Sequence, residues 1–511
     1  MKKATTLVLI LSLLILAGCS SKLIKKEDTP YEILQETVDQ HTNSLFMKGA
    51  SWSLMAVDLK KGRVILKRDE DRSLIPASNM KLLTSGCALE ILGPDFRIAT
   101  QIGYTGEIDA EGILHGDLIV IGSGDPTIGT RYDYRNTGID FRLPAETFLG
   151  WGDSLSRKGI TGIDGNIVGC GAFRTEHLFG AGWEWDDLRY WYGAEITSLI
   201  YTDNSLEVTI SPGDTTDLPA SLTWHPPTDL VSFFGLVNTT DASHSPNIKY
   251  KRGLQDNIFS LTGAIPDDSS PTRQWLAVYG AETYFLTELK NTLVDADIMV
   301  SGSCAFEPFK WRESKTFKPL FTHYSPPLKD LIKVINTQSQ NLYAETLIRN
   351  LGFQQKQVDS VLAANYNDAF EAGRAVIKEW ESSMVGKSTG FALVDGSGMS
   401  RRNLLSASEI IKVLVHQNRS LYRDEFVASL AVPGTGTLRH RFFGMPEGIT
   451  LHAKSGSMAR VRSLSGYLAT ENGPRIAFAL LCNNYLCDSL EVEAAMENIT
   501  QVLALYLMQT M

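Results

Sequence analysis

The sequence predicts an α+β fold with a five-stranded antiparallel sheet flanked by helices, an all-helical half, and a mostly β insertion. Near the start, "SWSLMAVDLKKGRVILK" (51–67) alternates apolar and polar residues on either side of a Lys-Lys-Gly turn, which is typical of a β-hairpin. Near the end, three strand-like runs follow one another with short turns: "ITLHAKSG", "VRSLSGYLAT" and "RIAFALLCNN". Together these segments supply the five strands.

Helical and β patterns occupy different parts of the remaining chain. A helix is predicted from Ser78 to about Leu92. Further helical patterns lie at 281–296, 325–352, 365–382, 406–418 and 488–509. Between about 98 and 280, Gly, Asp and Pro recur between short β-rich runs. We therefore predict a main domain of residues 34–97 and 281–511, with a mostly β insertion over 98–280 that can divide into two subdomains.

The composition is that of a large, acidic, globular chain. With 511 residues it is long enough for two or three domains. Hydrophobic residues make up 43% of the chain, and the formal net charge is -10. Because no dense block of Lys and Arg offsets this acidity, we exclude nucleic acid as a partner.

The first 33 residues are typical of a secretion signal followed by a polar tether. Lys2 and Lys3 precede an apolar run over 6–17, which is shorter than the roughly 18 residues needed to span a bilayer. A retained membrane anchor is the alternative. The segment "LAGC" resembles a bacterial lipobox, which implies a signal peptide over 1–18, lipidation of Cys19 and a lipidated tether over 19–33. Position 20, directly after Cys19, holds a serine and not the aspartate that would retain a lipoprotein in the inner membrane. We therefore expect the protein to face the periplasm from the outer membrane.

Five further cysteines remain after Cys19. Because five is an odd number, they cannot all pair with one another. Cys482 and Cys487 are close enough in sequence for a local disulfide in an oxidising compartment. None of the five has the spacing of zinc ligands. We predict structural roles for them and no metal site.

Ser78 and Lys81, in "PASNMKLL", are the first candidate catalytic pair. Residues at i and i+3 share a helix face, and burial lowers the pKa of a lysine until its amine can accept a serine proton. The alternative is a helix-capping serine beside a lysine whose amine reaches water. The pattern S-x-x-K is weak evidence on its own.

Two short motifs downstream strengthen the catalytic interpretation. Ser339 and Asn341, in "SQN", lie between two helical stretches, where such residues also serve as caps. "KSG" (454–456) lies in a predicted strand, where a glycine permits close backbone approach. The order S-x-x-K, S-x-N, K-[ST]-G is that of penicillin-recognising serine acyltransferases.

With these motifs the chain resembles the low-molecular-mass class C penicillin-binding proteins, the D-alanyl-D-alanine carboxypeptidase/endopeptidases, over about residues 34–511. Other segments that resemble this family are "LGPDFRIAT", "GDLIVIGSGDPT", "GWEWDDLRYWYGA", "DGSGMSRRNLLS" and "GTGTLRHR". The resemblance implies a serine β-lactamase/transpeptidase-like fold that needs no cofactor. It also implies peptidoglycan peptides as substrates and β-lactams as covalent inhibitors. The third motif reads KSG where KTG is commoner, and we expect activity to survive because serine keeps the hydroxyl.

The resemblance further implies a role for each matching residue. Ser78 would be the nucleophile, Lys81 its general base, and Ser339 a relay of the proton to the leaving amine. Asn341 and Lys454 would orient the substrate and Lys81. The backbone N–H groups of two serines would form the oxyanion hole; these are Ser78 and Ser457. The remaining positions expected to bind substrate are Ser455, Gly456, Met458, Arg401, Asp187 and Tyr192.

Three other functions compete with this one. A β-lactamase or esterase-like serine hydrolase would use the same serine and lysine, but the large insertion and the lipoprotein signal disfavour it. A non-catalytic module that binds cell-wall peptides or β-lactams has no need of an intact nucleophile. A Ser-His-Asp hydrolase would carry a G-x-S-x-G elbow, and none is evident in the sequence.

Overall fold

The computed structural model describes residues 29–132, 137–139, 144–173, 177–308, 316–386 and 390–510. The predicted signal peptide (1–18), Cys19 and most of the predicted tether lie outside these residues. A helix begins at Pro30, inside the tether predicted to end at residue 33, and Thr29 caps it. Within the described part of the chain, no helix is both long enough and apolar enough to cross a membrane.

The helices of the described chain lie mainly before the first sheet strand and after residue 280. They are α1 (Pro30–Thr42), α2 (Met80–Leu92), α3 (Pro144–Arg157), α4 (Ala281–Asp295), α5 (Leu328–Thr337), α6 (Asn341–Val358), α7 (Ser360–Asn365), α8 (Ala369–Val385), α9 (Ala407–Gln417), α10 (Arg423–Ser429) and α11 (Ser489–Thr510).

The strands divide into a C-terminal group, an N-terminal hairpin and a long intervening series. They are β1 (Ser51–Asp58), β2 (Arg63–Arg68), β3 (Ala99–Tyr104), β4 (Glu107–Ile108), β5 (Ile113–His115), β6 (Leu118–Gly122), β7 (Gly162–Asp164), β8 (Ile167–Gly171), β9 (Ser205–Ser211), β10 (Ser221–His225), β11 (Ser232–Thr240), β12 (Asn247–Arg252), β13 (Ile258–Pro266), β14 (Thr272–Ala277), β15 (Met299–Val300), β16 (Cys304–Phe306), β17 (Lys318–Tyr324), β18 (Thr450–Met458), β19 (Val461–Thr470) and β20 (Gly473–Asn483).

The predicted five-stranded sheet is present, with strand order β18-β19-β20-β1-β2 and antiparallel pairing throughout. Successive side chains of a strand point to opposite faces. In β20, Phe478 and Leu480 pack with α1 and α11, while Ala477 and Ala479 pack with α2 and α9. Both faces are therefore buried under helices, and β18 is left at one edge of the sheet.

The helical half is built around the buried helix α6. It crosses α8 so closely that a Cβ on Gly352 would lie 2.0 Å from the carbonyl oxygen of Ala369. On the facing helix, a Cβ on Gly373 would lie 2.0 Å from the carbonyl oxygen of Ile348. Two glycines thus let the backbones of α6 and α8 touch. This contact fixes α6, whose first residue is Asn341.

The predicted insertion contains four small sheets and its own apolar core. Their strand orders are β16-β8-β6-β3-β17, β15-β7-β5-β4, β10-β9-β14 and β11-β13-β12. Strands β15, β16 and β17 pair here, and α4 buries Tyr284, Phe285 and Leu289 in the same core. The described residues 281–308 and 316–324 therefore belong with this region, and the boundary expected at residue 280 falls near residue 324.

Two local expectations differ from the structure. Ser78 lies in a 3₁₀ turn, Ala77–Asn79, and the α-helix begins two residues later. Cys482 and Cys487 are free thiols, so the local disulfide that their spacing allows is not formed. Cys482 is buried in β20, and the Cys487 sulfur lies 3.9 Å from the sulfur of Met47.

The glycine contact between α6 and α8 makes a testable prediction. Gly352→Ala places a methyl group against backbone that cannot give way, and we expect it to destabilise the protein by about 1–3 kcal/mol. Urea unfolding measures the change. Gly152→Ala, in α3, is the matched control because its Cβ would meet nothing nearer than 3.4 Å. There we expect about 0.5–1 kcal/mol of stabilisation, and equal effects at the two sites would contradict the close crossing.

Candidate active site

The edge strand β18 and the turn holding Ser78 are pressed together. A Cβ on Gly456 would lie 2.9 Å from the backbone nitrogen of Ser78, so only glycine allows this approach. The turn is also tied to the neighbouring strand β19, because the Ser463 hydroxyl donates to the carbonyl of Pro76 at 2.7 Å. The Asn79 amide donates to the Ser465 hydroxyl at 2.8 Å. These contacts hold Ser78 beside the free edge of the sheet.

Lys81 is fully buried, with its amine directed at three oxygens. Its Nζ lies 3.0 Å from the Ser78 hydroxyl, 2.7 Å from the Asn341 side-chain oxygen and 2.6 Å from the carbonyl oxygen of Ser397. The N-cap position of α2 is held by Asn79 and not by Ser78. The alternative of a capping serine beside a lysine that reaches water is therefore excluded.

Burial lowers the pKa of Lys81 from 10.5 to about 7, against the nearby carboxylates of Asp395 and Glu345, which raise it. Sequence reasoning missed this carboxylate pair. Glu345 accepts hydrogen bonds from the backbone N–H groups of Gly396 and Ser397 at 2.9 and 2.8 Å. It thereby holds in place the segment whose carbonyl contacts Lys81. Its position four residues after Asn341, on the same face of α6, is the signal that could have identified it.

Lys454 is a second fully buried lysine, on β18. Its Nζ donates to the Ser339 hydroxyl at 2.9 Å and to the carbonyl of Ser455 at 2.6 Å. Burial, reinforced by the neighbouring Lys81, holds its pKa well below the ordinary value. Lys454 forms no ion pair with a carboxylate of the described residues, so an anionic ligand can become its counter-ion.

Ser339 lies on the loop that leads into α6, and Asn341 is the first residue of that helix. Ser339 has a left-handed backbone, with φ of 63°, which a non-glycine residue rarely adopts. Asn341 accepts from Lys81 and donates to the carbonyl of Tyr192 at 2.8 Å. The loop thus joins both lysines to a segment of the insertion.

The free edge of β18 offers backbone N–H groups. Ala453 and Ala431 exchange hydrogen bonds at 2.9 and 3.1 Å on the side facing away from β19. Backbone groups two and four residues further along a strand point the same way. The N–H groups of Ser455 and Ser457 therefore face the space beside Ser78.

These groups surround one cleft, here named the main cleft, with a volume of about 770 Å³. The predicted residues that line it are Ser78, Asp187, Tyr192, Ser339, Asn341, Arg401, Ser455, Ser457 and Met458. Lys81, Lys454 and Gly456 lie directly beneath. The structure thus brings every predicted site residue within the described chain together in one place.

One end of the main cleft carries its own polar group of residues. The Tyr192 hydroxyl donates to Asp187 at 3.2 Å, and burial raises the pKa of that carboxyl. Arg401 donates to the carbonyl of Ala459 and lies 3.2 Å from Glu184, a lining residue that sequence reasoning missed. Among the described residues, no group of three His, Cys, Asp or Glu side chains is placed to hold a metal. The arrangement suits acyl transfer to a serine.

Comparison with known proteins gives consistent results. A family model described as the D-Ala-D-Ala carboxypeptidase 3 (S13) family matches residues 34–506. A D-alanyl-D-alanine carboxypeptidase of Actinomadura sp. (strain R39) is 26% identical over 489 residues, covering 92% of this chain and 84% of the relative. The crystal structure of penicillin binding protein 4 from Haemophilus influenzae has a TM-score of 0.75 at 22% identity, covering 92% of this chain and 99% of that chain. Its complex with a β-lactam has a TM-score of 0.69 at 20% identity, covering 94% and 100%. The predicted fold and family are confirmed.

The buried carboxylates make a prediction about pH. A neutral Lys81 amine is needed to accept a proton, so the rate at which benzylpenicillin acylates Ser78 should rise with pH around a midpoint near 7. Glu345→Gln keeps an acceptor for the backbone N–H groups of Gly396 and Ser397. It removes a negative charge that favours the ammonium form of Lys81. The pKa of Lys81 then falls, and the midpoint moves to lower pH.

The control is Glu371→Gln, on the exposed surface of α8, which should leave the midpoint in place. Stopped-flow measurement of acylation between pH 5 and 9 gives all three profiles. A midpoint that stays fixed or rises in Glu345→Gln would show that this carboxylate does not act on Lys81.

Proposed function

The chain belongs to the D-Ala-D-Ala carboxypeptidase 3 (S13) family, and on that premise we propose that Ser78 is the nucleophile of a serine-type D-alanyl-D-alanine carboxypeptidase/endopeptidase. The observation that carries the proposal is the Lys81 amine, 3.0 Å from the Ser78 hydroxyl with a pKa of about 7. About half of such an amine is neutral at pH 7 and able to accept the serine proton.

Acylation follows from this geometry. The Ser78 oxygen attacks the carbonyl carbon of the D-alanyl bond as its proton passes to Lys81. The negative charge that forms on the carbonyl oxygen is stabilised by the N–H groups of Ser78 and Ser457. The carbon–nitrogen bond then breaks, and Ser339 donates a proton to the leaving amine. Ser339 regains a proton from the neighbouring lysines, and an acyl-enzyme remains on Ser78.

The carboxylate of the leaving D-residue supplies the counter-ion that Lys454 lacks. Lys454 and the Ser455 hydroxyl would hold this carboxylate, and the pKa of Lys454 would rise as it binds. A protonated Lys454 in turn disfavours protonation of Lys81. Binding of the substrate's terminal carboxylate at Lys454 thus keeps Lys81, the general base, neutral. Water that replaces the leaving group then hydrolyses the acyl-enzyme.

The opposite end of the main cleft would bind the acyl part of the substrate. Asp187, Tyr192 and Arg401 offer a carboxyl, a hydroxyl and a guanidinium there, and Met458 adds an apolar contact. A peptidoglycan stem peptide that contains a diamino acid matches this set of groups, because the side chain of that residue carries both an amine and a carboxylate. Its cross-linked form would be cut by the same chemistry.

A β-lactam would acylate Ser78 in the same way, and the related Haemophilus influenzae protein has been crystallised with one. The second candidate, a β-lactamase, shares the fold and the serine–lysine pair. The two differ in deacylation: a peptidase releases the penicilloyl group slowly, whereas a β-lactamase releases it rapidly.

The location of the protein is also proposed from its N-terminus. Cleavage before Cys19 and acylation of its thiol would leave the enzyme tethered through about ten residues to α1. The enzyme would then face the periplasm from the outer membrane, where peptidoglycan is within reach. The support is the "LAGC" segment and the serine at position 20.

The nucleophile can be tested by mass spectrometry. Benzylpenicillin should add one penicilloyl group to the proteolytic peptide that contains Ser78, and the adduct should persist for many minutes. Ser78→Ala should lose the adduct and lower D-Ala release by at least about 10³-fold. An adduct on another residue would overturn the mechanism, and loss of the adduct within seconds would favour the β-lactamase.

The lipid anchor can be tested by fractionating a Gram-negative host that expresses the full chain. Cys19→Ala should move the protein from the outer-membrane fraction to the soluble periplasm. Ser20→Asp should keep it on a membrane but transfer it to the inner one. Membrane association that survives Cys19→Ala would mean that another segment anchors the protein.

A further inference from the structure

A second groove opens from the main cleft on its leaving-group side. It lies between residues 436–441 and the first turns of α11 and has a volume of about 700 Å³. Gln338 and Thr437 line both cavities, so the two adjoin each other. We name this cavity the leaving-group groove.

The position of the groove follows from the edge strand. Ala431 pairs with Ala453, next to Lys454, and a Cβ on Gly436 would lie 2.1 Å from the carbonyl oxygen of Thr337. The segment 431–438 therefore stands beside Ala453 and Lys454, near the middle of β18. Met458 is the last residue of the strand, and the acyl-side residues lie around it. A substrate whose carboxylate rests on Lys454 continues, beyond its leaving residue, into the groove.

The groove carries a guanidinium that no carboxylate neutralises. Arg441 pairs with Glu493 and Glu497, and Arg462 shares Glu493. Within the described chain, Arg439 is exposed and forms no ion pair; its Nε donates only to the carbonyl of Gly436 at 3.3 Å. The free cation therefore points to an anionic ligand.

A second polar group in the groove is also unused. The Thr437 side-chain oxygen is buried yet has no hydrogen-bond partner among the described residues. Buried hydroxyls are normally bonded, so this unpaired one, at the junction of the two cavities, has a hydrogen bond still to make. Together, a free guanidinium and an unpaired hydroxyl match a carboxylate with an adjacent peptide group.

We propose that the leaving-group groove binds the acidic peptide that continues beyond the leaving residue of a cross-link, with Arg439 pairing to its carboxylate. The inference rests on the proposed function and assigns the groove to cross-linked substrates. A terminal D-alanine ends at Lys454 and leaves the groove empty. Arg439 is thus a specificity-determining residue that favours endopeptidase over carboxypeptidase action.

Three synthetic substrates with the same acyl part test this assignment. The first ends in D-Ala-D-Ala. The second joins D-Ala to the D-centre of a diamino acid that continues into a γ-D-glutamyl residue with a free carboxylate. The third is the second with that carboxylate amidated. We expect the wild-type enzyme to show about tenfold higher kcat/KM for the free acid than for the amide.

Arg439→Gln should remove this preference by slowing cleavage of the free acid about tenfold, with a much smaller effect on its amide. Arg439→Lys should recover part of the preference because it keeps the charge. Arg419→Gln, an exposed arginine outside both cavities, is the matched control. If Arg439→Gln slows cleavage of the free acid and of the amide equally, the groove does not recognise the carboxylate and the proposal is overturned.

Binding to a Ser78→Ala background separates this proposal from the proposed function. Calorimetric titration with the intact free-acid substrate should give a dissociation constant that rises about tenfold when Arg439→Gln is added. If the wild-type enzyme cleaves none of the three substrates while this binding difference is present, the proposed function fails and the groove assignment stands. Equal dissociation constants for the Ser78→Ala protein and the protein that also carries Arg439→Gln would overturn the groove assignment.

Discussion

Burial of the Lys81 amine is the interaction on which the rest of the site depends. Its three oxygen partners come from three parts of the fold: Ser78 from the turn before α2, Asn341 from the start of α6, and Ser397 from the loop before α9. No water reaches the amine to replace a lost partner, so a shift of any one part leaves a buried donor unpaired at considerable cost. The amine thereby holds the turn before α2, the start of α6 and the loop before α9 in one arrangement.

Close backbone contacts make that arrangement possible. Ala77, just before the nucleophile, has a left-handed φ of 46°, and a Cβ on Gly398 would lie 1.9 Å from its carbonyl oxygen. Ser339 is also left-handed. Strained residues of this kind persist only where the surrounding packing fixes them. Here the packing is supplied by the sheet on one side and by the glycine crossing of α6 and α8 on the other.

Much of this architecture could be predicted from the sequence because it rests on local patterns. Alternation with a period of two identified the first hairpin, and strand-like runs between short turns identified the other three strands of the main sheet. Three short motifs in a fixed order identified the serines, lysines and asparagine around the cleft. The boundary near residue 324 could not be found in this way. The pattern of 281–295 shows that a helix is amphipathic, but not which of two cores its apolar face will enter.

The parts of the site that sequence reasoning missed depend on tertiary contacts. Glu345 acts through the backbone of residues 396–397, and Cys487 contacts the sulfur of Met47, which is 440 residues away in the sequence. The left-handed backbone of Ala77 is one that alanine rarely adopts, so the sequence does not indicate it. Arg439 is an ordinary surface arginine in sequence, and its isolation shows only once Arg441 is seen to occupy both nearby glutamates.

The free edge of β18 has an evolutionary consequence. In the proposed reaction the oxyanion contact comes from the main chain at Ser457, and every amino acid except proline supplies the same N–H group there. Mutation of the Ser457 side chain therefore leaves the donor in place. A drug that engages the main chain of the strand leaves a bacterium few single substitutions with which to escape, because most changes that remove the donor also remove the strand.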